Sequence, residues 1–156
     1  MMVFLQDHEV DFAFVSETWM TQQANHTSAT IKYYGYNIIH DYRQMSMGGG
    51  TAVIFKAGHT VNTVNLDIDN ISTFEYTSAA VKCSVDMRIL LVCLYRTGPV
   101  TQLFIDDINS LMQVITLRYD YIIVGGDFNI HIENAADKCK LWNFLKQCNH
   151  LGLNNI

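Results

Sequence analysis

Apolar positions along this chain come mostly in short runs separated by turn-forming residues, too short and too continuous to be amphipathic helices. Residues 10–16 (VDFAFVS), 36–42 (YNIIHDY), 51–56 (TAVIFK), 61–66, 74–85, 88–95 (RILLVCLY) and 121–125 (YIIVG) are rich in β-branched and aromatic side chains and predict strands. Two stretches carry a helical period instead. Residues 101–117 place Leu103, Ile108, Leu111, Val114 and Ile115 along one stripe, and residues 137–150 do the same with Leu141, Phe144, Leu145 and Cys148. Thr101 and Asp137 suit the N-cap positions of those helices. The near-continuous apolarity of VDFAFVS and YIIVG requires burial on both faces, which predicts a sheet sandwich with helices covering its outer faces. Residues 1–8 read as the tail of a helix leading into the first strand. Residues 151–153 (Leu-Gly-Leu) read as a helix stop and the opening of a further strand.

The 156 residues, 49% hydrophobic and 16% charged, suit one globular unit with a real core. A single proline, with no Ser/Gly linker and no repeat, gives no internal boundary, so residues 1–156 are taken as one domain. Ten Lys and Arg against fifteen Asp and Glu leave a net charge of -5, which argues against gripping nucleic acid by bulk electrostatics. Any phosphate chemistry must then be local and cation-assisted. The four cysteines, Cys83, Cys93, Cys139 and Cys148, lack zinc-site spacing and fit reduced thiols in a nuclear or cytoplasmic setting. No stretch approaches the length of a membrane span or a secretory leader, so no membrane partner is expected. The sequons beginning at Asn25 and Asn70 carry little weight in such a setting.

Glu17 directly follows VDFAFVS, and Asp127 and Asn129 directly follow YIIVG and a second glycine. Groups at strand ends are held rigidly while facing a cleft, where metal ligands and proton carriers are useful. Adjacent central strands would bring Glu17 and Asp127 together. Two carboxylates with an amide make a hard-oxygen site suited to Mg²⁺, or to Mn²⁺. Gly125 and Gly126 permit a sharp turn into Asp127.

Four short segments carry a resemblance to a known family. Ser16-Glu17-Thr18-Trp19 follows an Asp-initiated apolar strand, Gly48-Gly49-Gly50-Thr51-Ala52-Val53 opens a later one, Leu94-Tyr95-Arg96 ends another, and Gly125-Gly126-Asp127-Phe128-Asn129-Ile130-His131 comes after it. In that order they resemble the endonuclease/exonuclease/phosphatase superfamily, and most of all the apurinic-type endonuclease domain of retrotransposons without long terminal repeats. The resemblance implies a four-layer α/β sandwich, two packed mixed sheets flanked by helices, and Mg²⁺-dependent cleavage of a DNA phosphodiester without a small-molecule cofactor. It makes Glu17 and Asp127 metal ligands, with Asp127 also orienting the attacking water. Asn129 and Tyr95 become catalytic residues on the scissile phosphate, and Arg96 a further phosphate contact. Asp41 and Arg43 match a polar pair that precedes the glycine run. The family's proline pair after the tyrosine is replaced by Thr97-Gly98-Pro99. The opening strand with its asparagine, and the closing strands ending in a Ser-Asp-His type motif, have no counterpart, so the domain is expected to be incomplete and weakly active or inactive.

Two rival functions stay open at this point. The chain could be a non-catalytic interaction remnant or relic of such an enzyme, or it could keep the fold and act as a phosphatase. Residue by residue, Glu17 could cap a loop, Tyr95 could be core, and Arg96 could be a surface ion-pair partner. His131 lies on the same loop as Asp127 and reads as an ordinary loop histidine rather than a replacement for the missing one.

Overall fold

A computed structural model describes residues 1–22, 25–42, 48–68 and 71–131, together with residues 133, 138, 139, 142 and 146. Arg43, Asp137, most of the helix expected over residues 137–150, and residues 151–153 lie outside the described residues. The elements run α1 (Met2–Asp7), β1 (Phe12–Ser16), α2 (Asn25–Tyr33), β2 (Tyr36–Asp41), β3 (Thr51–Lys56), β4 (Thr60–Thr63), β5 (Phe74–Lys82), β6 (Arg88–Arg96), α3 (Gln102–Arg118) and β7 (Tyr121–Asp127).

The strands form two sheets, ordered β1-β3-β2 and β4-β5-β6-β7. The first is antiparallel throughout, whereas the second is mixed, because β7 returns through α3 to lie parallel to β6. The expectation of two mixed sheets is therefore met by one of them. Strand alternation sorts the side chains into layers. Val53 of β3, Phe12 and Phe14 of β1, Val81 of β5, and Leu91 and Cys93 of β6 meet between the sheets. Ile54, Ala13, Val15 and Ile38 point the other way, onto Leu5 of α1 and Ile31 of α2. Leu90, Val92 and Leu94 of β6, with Ile122 and Val124 of β7, pack on Phe104, Ile108, Leu111, Met112 and Ile115 of α3. The order of layers is helix, sheet, sheet, helix, an α/β sandwich.

Several local expectations change. The buried stripe of α3 keeps the expected Ile108, Leu111 and Ile115 but adds Phe104 and Met112 in place of Leu103, which is 54% exposed, and Val114, which is half-buried. Thr101 does cap the helix, accepting from the Phe104 amide at 3.2 Å. α2 was not foreseen, since NHTSATIKY offers a single buried apolar side chain, Ile31, and no recognisable stripe. The strand expected over residues 61–66 pairs only through Thr63, although Val64 still donates to the Ser78 carbonyl at 3.0 Å. Among the described residues, no helix is long and apolar enough to cross a membrane.

Cys93 ties the sheets together at their centre, its thiol donating to the Val15 carbonyl at 3.5 Å. Burial pushes this thiol above the usual cysteine range, and its backbone hydrogen bonds with Ala52 and Val15 only partly oppose that. Because the thiolate is the reactive form, Cys93 stays protonated to higher pH than an exposed thiol and is shielded as well. Iodoacetamide at pH 8 followed by peptide mass mapping is expected to label the exposed Cys83 while Cys93 reacts only after denaturation. Equal labelling of both in the native protein would contradict this packing.

Candidate active site on the sandwich rim

One rim of the sandwich collects the polar ends of six strands. β1, β2, β6 and β7 finish there, and β3 and β5 begin there. The ladder register sets two rows across it: Ser16, Thr51 and Asp41 on the first sheet, and Glu75, Tyr95 and Asp127 on the second. Directly opposed residues share a face, so Glu75 and Asp127 flank Tyr95 on the side that looks toward the first sheet.

Hydrogen bonds lace the rows together. The Tyr95 hydroxyl donates to Oε1 of Glu17, the residue immediately after β1. The Gly50 amide donates to Oε2 of Glu75 at 2.6 Å. Thr77 Oγ1 donates to the Thr51 carbonyl at 2.9 Å and accepts from the Asp41 amide at 3.1 Å. Tyr95 is 6% exposed, so its ring is core while its hydroxyl reaches the rim. Asp107 of α3 fixes the entry to β5, its Oδ2 accepting from the amides of Ser72 and Thr73 and from the Thr73 hydroxyl. That anchors the strand carrying Glu75.

Asp127 ends β7 with its carboxylate exposed, and its Oδ1 accepts the Asn129 amide at 2.9 Å. This turn places Asn129 at φ +47°, a left-handed conformation that asparagine tolerates better than most residues. The Asn129 side chain folds back, one amide hydrogen reaching the Arg96 carbonyl at 2.6 Å. Gly125 and Gly126 lie within the strand instead of making a turn before Asp127. They serve close approach: a Cβ on Gly126 would collide with the Leu94 backbone, and one on Gly125 would meet the Phe14 ring at 2.5 Å.

Arg96 departs most from expectation. It follows Tyr95 on a strand, so it points to the opposite face, away from the rim row and toward α3. There it is 1% exposed and lies over the Phe104 ring at 4.7 Å. Its guanidinium donates to the carbonyls of Phe128, Gly98 and Asn129 at 2.6 to 2.7 Å. This geometry is that of a clamp on the loop after β7 and leaves the phosphate contact expected of Arg96 without structural support; it is not an exposed ion-pair partner either.

No protein-family model matches the sequence, and no curated protein is significantly similar to it. Solved structures do match. ANGEL2, a 2′,3′-cyclic phosphatase, superposes with a TM-score of 0.64 at 15% identity over 82% of this chain and 42% of its own. The 3′ phosphatase NExo from Neisseria, solved with a product DNA hairpin, gives 0.57 at 15% identity over 92% of this chain and 63% of its own. The chain has the endonuclease/exonuclease/phosphatase fold. It spans less than two thirds of either matched chain, and at this identity the likeness is one of fold.

Endonuclease/exonuclease/phosphatase enzymes are generally dependent on a divalent metal. The rim donors fit such an ion: Glu17 and Asp127 each have one carboxylate oxygen engaged by a donor and a second, hard oxygen available. Among the described residues, no three His, Cys, Asp or Glu side chains group closely enough to hold a metal ion between them. His131 is exposed and paired with Glu133 at 3.1 Å.

Sequence reasoning missed Glu75. Its signal was a lone carboxylate at the second position of the otherwise neutral run FEYTSAAV, which only the register with Tyr95 makes meaningful. A cleft of about 550 Å³ adjoins the rim between β2, β5 and the segment after β4, lined in part by His40, Asp41, Asn65, Glu75 and Tyr76. Glu17 and Asp127 do not line it; both lie on the exposed rim itself.

The clamp gives a stability test. Arg96→Lys keeps a charge but cannot reach three carbonyls in one plane, and it strands buried acceptors. Urea unfolding is expected to show a loss of about 2–4 kcal/mol. A change under about 0.5 kcal/mol, the size typical of surface positions, would remove Arg96 from that role.

Proposed function

We propose that this chain is part of a Mg²⁺-dependent phosphodiesterase acting on DNA, of the retrotransposon endonuclease type, with Glu17 and Asp127 as its metal ligands. The observation that supports this most is the convergence of Glu17, Tyr95 and Asp127 on one rim, from strands far apart in sequence. A bound Mg²⁺ would polarise a phosphoryl oxygen and stabilise the leaving alkoxide. Tyr95, by donating to Glu17 Oε1, turns the other oxygen of that carboxylate outward. Asp127 would hold the ion through Oδ2 and can orient an attacking water through the remaining lone pair of Oδ1, which also accepts the Asn129 amide. The second amide hydrogen of Asn129 can donate to a phosphate oxygen, while the first keeps the side chain oriented on the Arg96 carbonyl. Arg96 acts through Asn129 and the backbone of residues 128–129, as a positioning residue.

A phosphatase acting on nucleic-acid ends is the second reading, and the two matched structures favour it, being named as a 2′,3′-cyclic phosphatase and a 3′ phosphatase. The Glu17 and Asp127 oxygens serve either reaction equally.

Supercoiled plasmid nicking in Mg²⁺ is expected to be slow but abolished by EDTA, and Glu17→Ala and Asp127→Ala should each lower it at least about tenfold. Parallel incubation with 3′-phosphorylated and 2′,3′-cyclic-phosphate oligonucleotides separates the readings, since release of phosphate or ring opening without nicking favours the phosphatase. Nicking or phosphate release that both variants retain in full would overturn the assignment of the site.

A further inference from the structure

Trp19 is 67% exposed, two residues beyond Glu17 on the same rim. Its backbone sits at φ +53°, a left-handed conformation that is costly for a bulky residue and persists only where the surroundings enforce it. Here they do. The Trp19 amide donates to the Gly49 carbonyl at 3.0 Å, and the Thr18 amide to the Gly50 carbonyl at 3.2 Å. Gly48, Gly49 and Gly50 all have positive φ, and Cε2, Cζ2 and Cη2 of the indole lie so near Gly48 that a methyl there would touch them at 3.7 to 4.0 Å. A Cβ on Gly50 would crowd Thr18 Oγ1 at 2.6 Å, so the glycine run is what lets residues 17–19 turn against it. The result is a rigidly mounted, solvent-facing indole beside the proposed scissile phosphate.

What sets Trp19 apart from the other exposed apolar side chains, such as Tyr33 and Leu117, is that its left-handed backbone and its packing on Gly48 hold the indole in one place beside the Glu17 carboxylate. The described residues offer a polyanion no cation here: the rim carries Glu17, Asp41, Glu75 and Asp127 and, among the described residues, no exposed Lys or Arg, and the chain is acidic as a whole. Aromatic stacking supplies affinity for a nucleobase without any charge, and it requires a base face released from its duplex neighbours. We infer that Trp19 is a stacking platform for an unstacked nucleobase next to the phosphate at the Glu17 and Asp127 site, so that the preferred substrate is single-stranded or frayed nucleic acid rather than a sugar or lipid phosphate. This rests on the phosphodiester reading of that site.

The full chain carrying Trp142→Phe leaves Trp19 as its one tryptophan. Its fluorescence, titrated in Mn²⁺-containing buffer with a non-cleavable phosphorothioate oligothymidylate, is expected to be quenched saturably, with no quenching by inorganic phosphate or by a fully paired hairpin. In the otherwise unaltered chain, Trp19→Ala should weaken binding of the oligothymidylate about tenfold or more, and Trp19→Phe by much less. A strand of the same length built of abasic tetrahydrofuran phosphates, which offers the charges without bases, should bind both variants and the parent alike. Glu17→Ala with Asp127→Ala should weaken both strands. Equal loss on the base-bearing and abasic strands, or no loss on either, overturns the stacking role. Failure of the carboxylate variants to affect either strand overturns the site reading instead, and the base-against-abasic comparison then judges Trp19 by itself.

Discussion

The loop that carries Asp127 and Asn129 depends on one buried guanidinium. Taking a charge to 1% exposure is expensive, and the expense is offset only when every donor finds a well-placed acceptor. Each of the three guanidinium nitrogens of Arg96 donates to a backbone carbonyl, and its face lies against an aromatic ring. Those carbonyls belong to the segment just after β6 and the segment just after β7, so the same contacts that satisfy the charge also fix the two strand ends relative to each other. Asn129 completes the loop in return, donating to the carbonyl of Arg96 itself. An apolar residue of similar volume could fill the space over Phe104 but could not position two loops. A fixed planar fork does both.

Strand alternation then decides what each neighbour of Arg96 can do. Tyr95 and Arg96 are adjacent in sequence, yet one looks into the space between the sheets and the other into the helix layer. A motif read as a unit therefore divides into a rim hydroxyl and a structural cation. The same rule on β7 sends Val124 to α3, and Gly125 and Asp127 toward the first sheet, where the absence of a side chain at Gly125 makes room for Phe14. Close approach of β1 to β7 follows, and with it the meeting of Glu17 and the second-sheet row.

Much of this was legible in the sequence because burial on both faces leaves a strong trace. β3, with Thr51 through Phe55 all buried, and β6 were readable as strands nearly to their ends. The strand-end positions of Glu17 and Asp127 were readable for the same reason. α2 was not, because its helicity rests on docking one face beside Ile31 and Tyr36 rather than on an apolar period of its own. Arg96 was misplaced because charge suggests solvent, and a buried cation is recognisable only when the carbonyls around it are known. Glu75 needed the antiparallel register with Tyr95, which no local pattern encodes.

The rim that results is rich in acceptors and poor in charge-neutralising donors. Tyr95 and the amides of Gly50 and Asn129 each satisfy one oxygen of a carboxylate, but none of them removes its charge. Thr51 and Thr77 share a hydroxyl pair at 2.7 Å, which joins the sheets without adding a cation. An anionic substrate approaching such a surface meets repulsion unless a divalent ion is held between the Glu17 and Asp127 oxygens, and the size of that repulsion falls only slowly within a Debye length of ~10 Å at moderate salt. On the proposed function, the same acidity that disfavours broad electrostatic capture of nucleic acid would concentrate recognition at the phosphate held by the Glu17 and Asp127 site and at the uncharged surface beside it. On this rim that surface is the glycine-backed turn of residues 17–19.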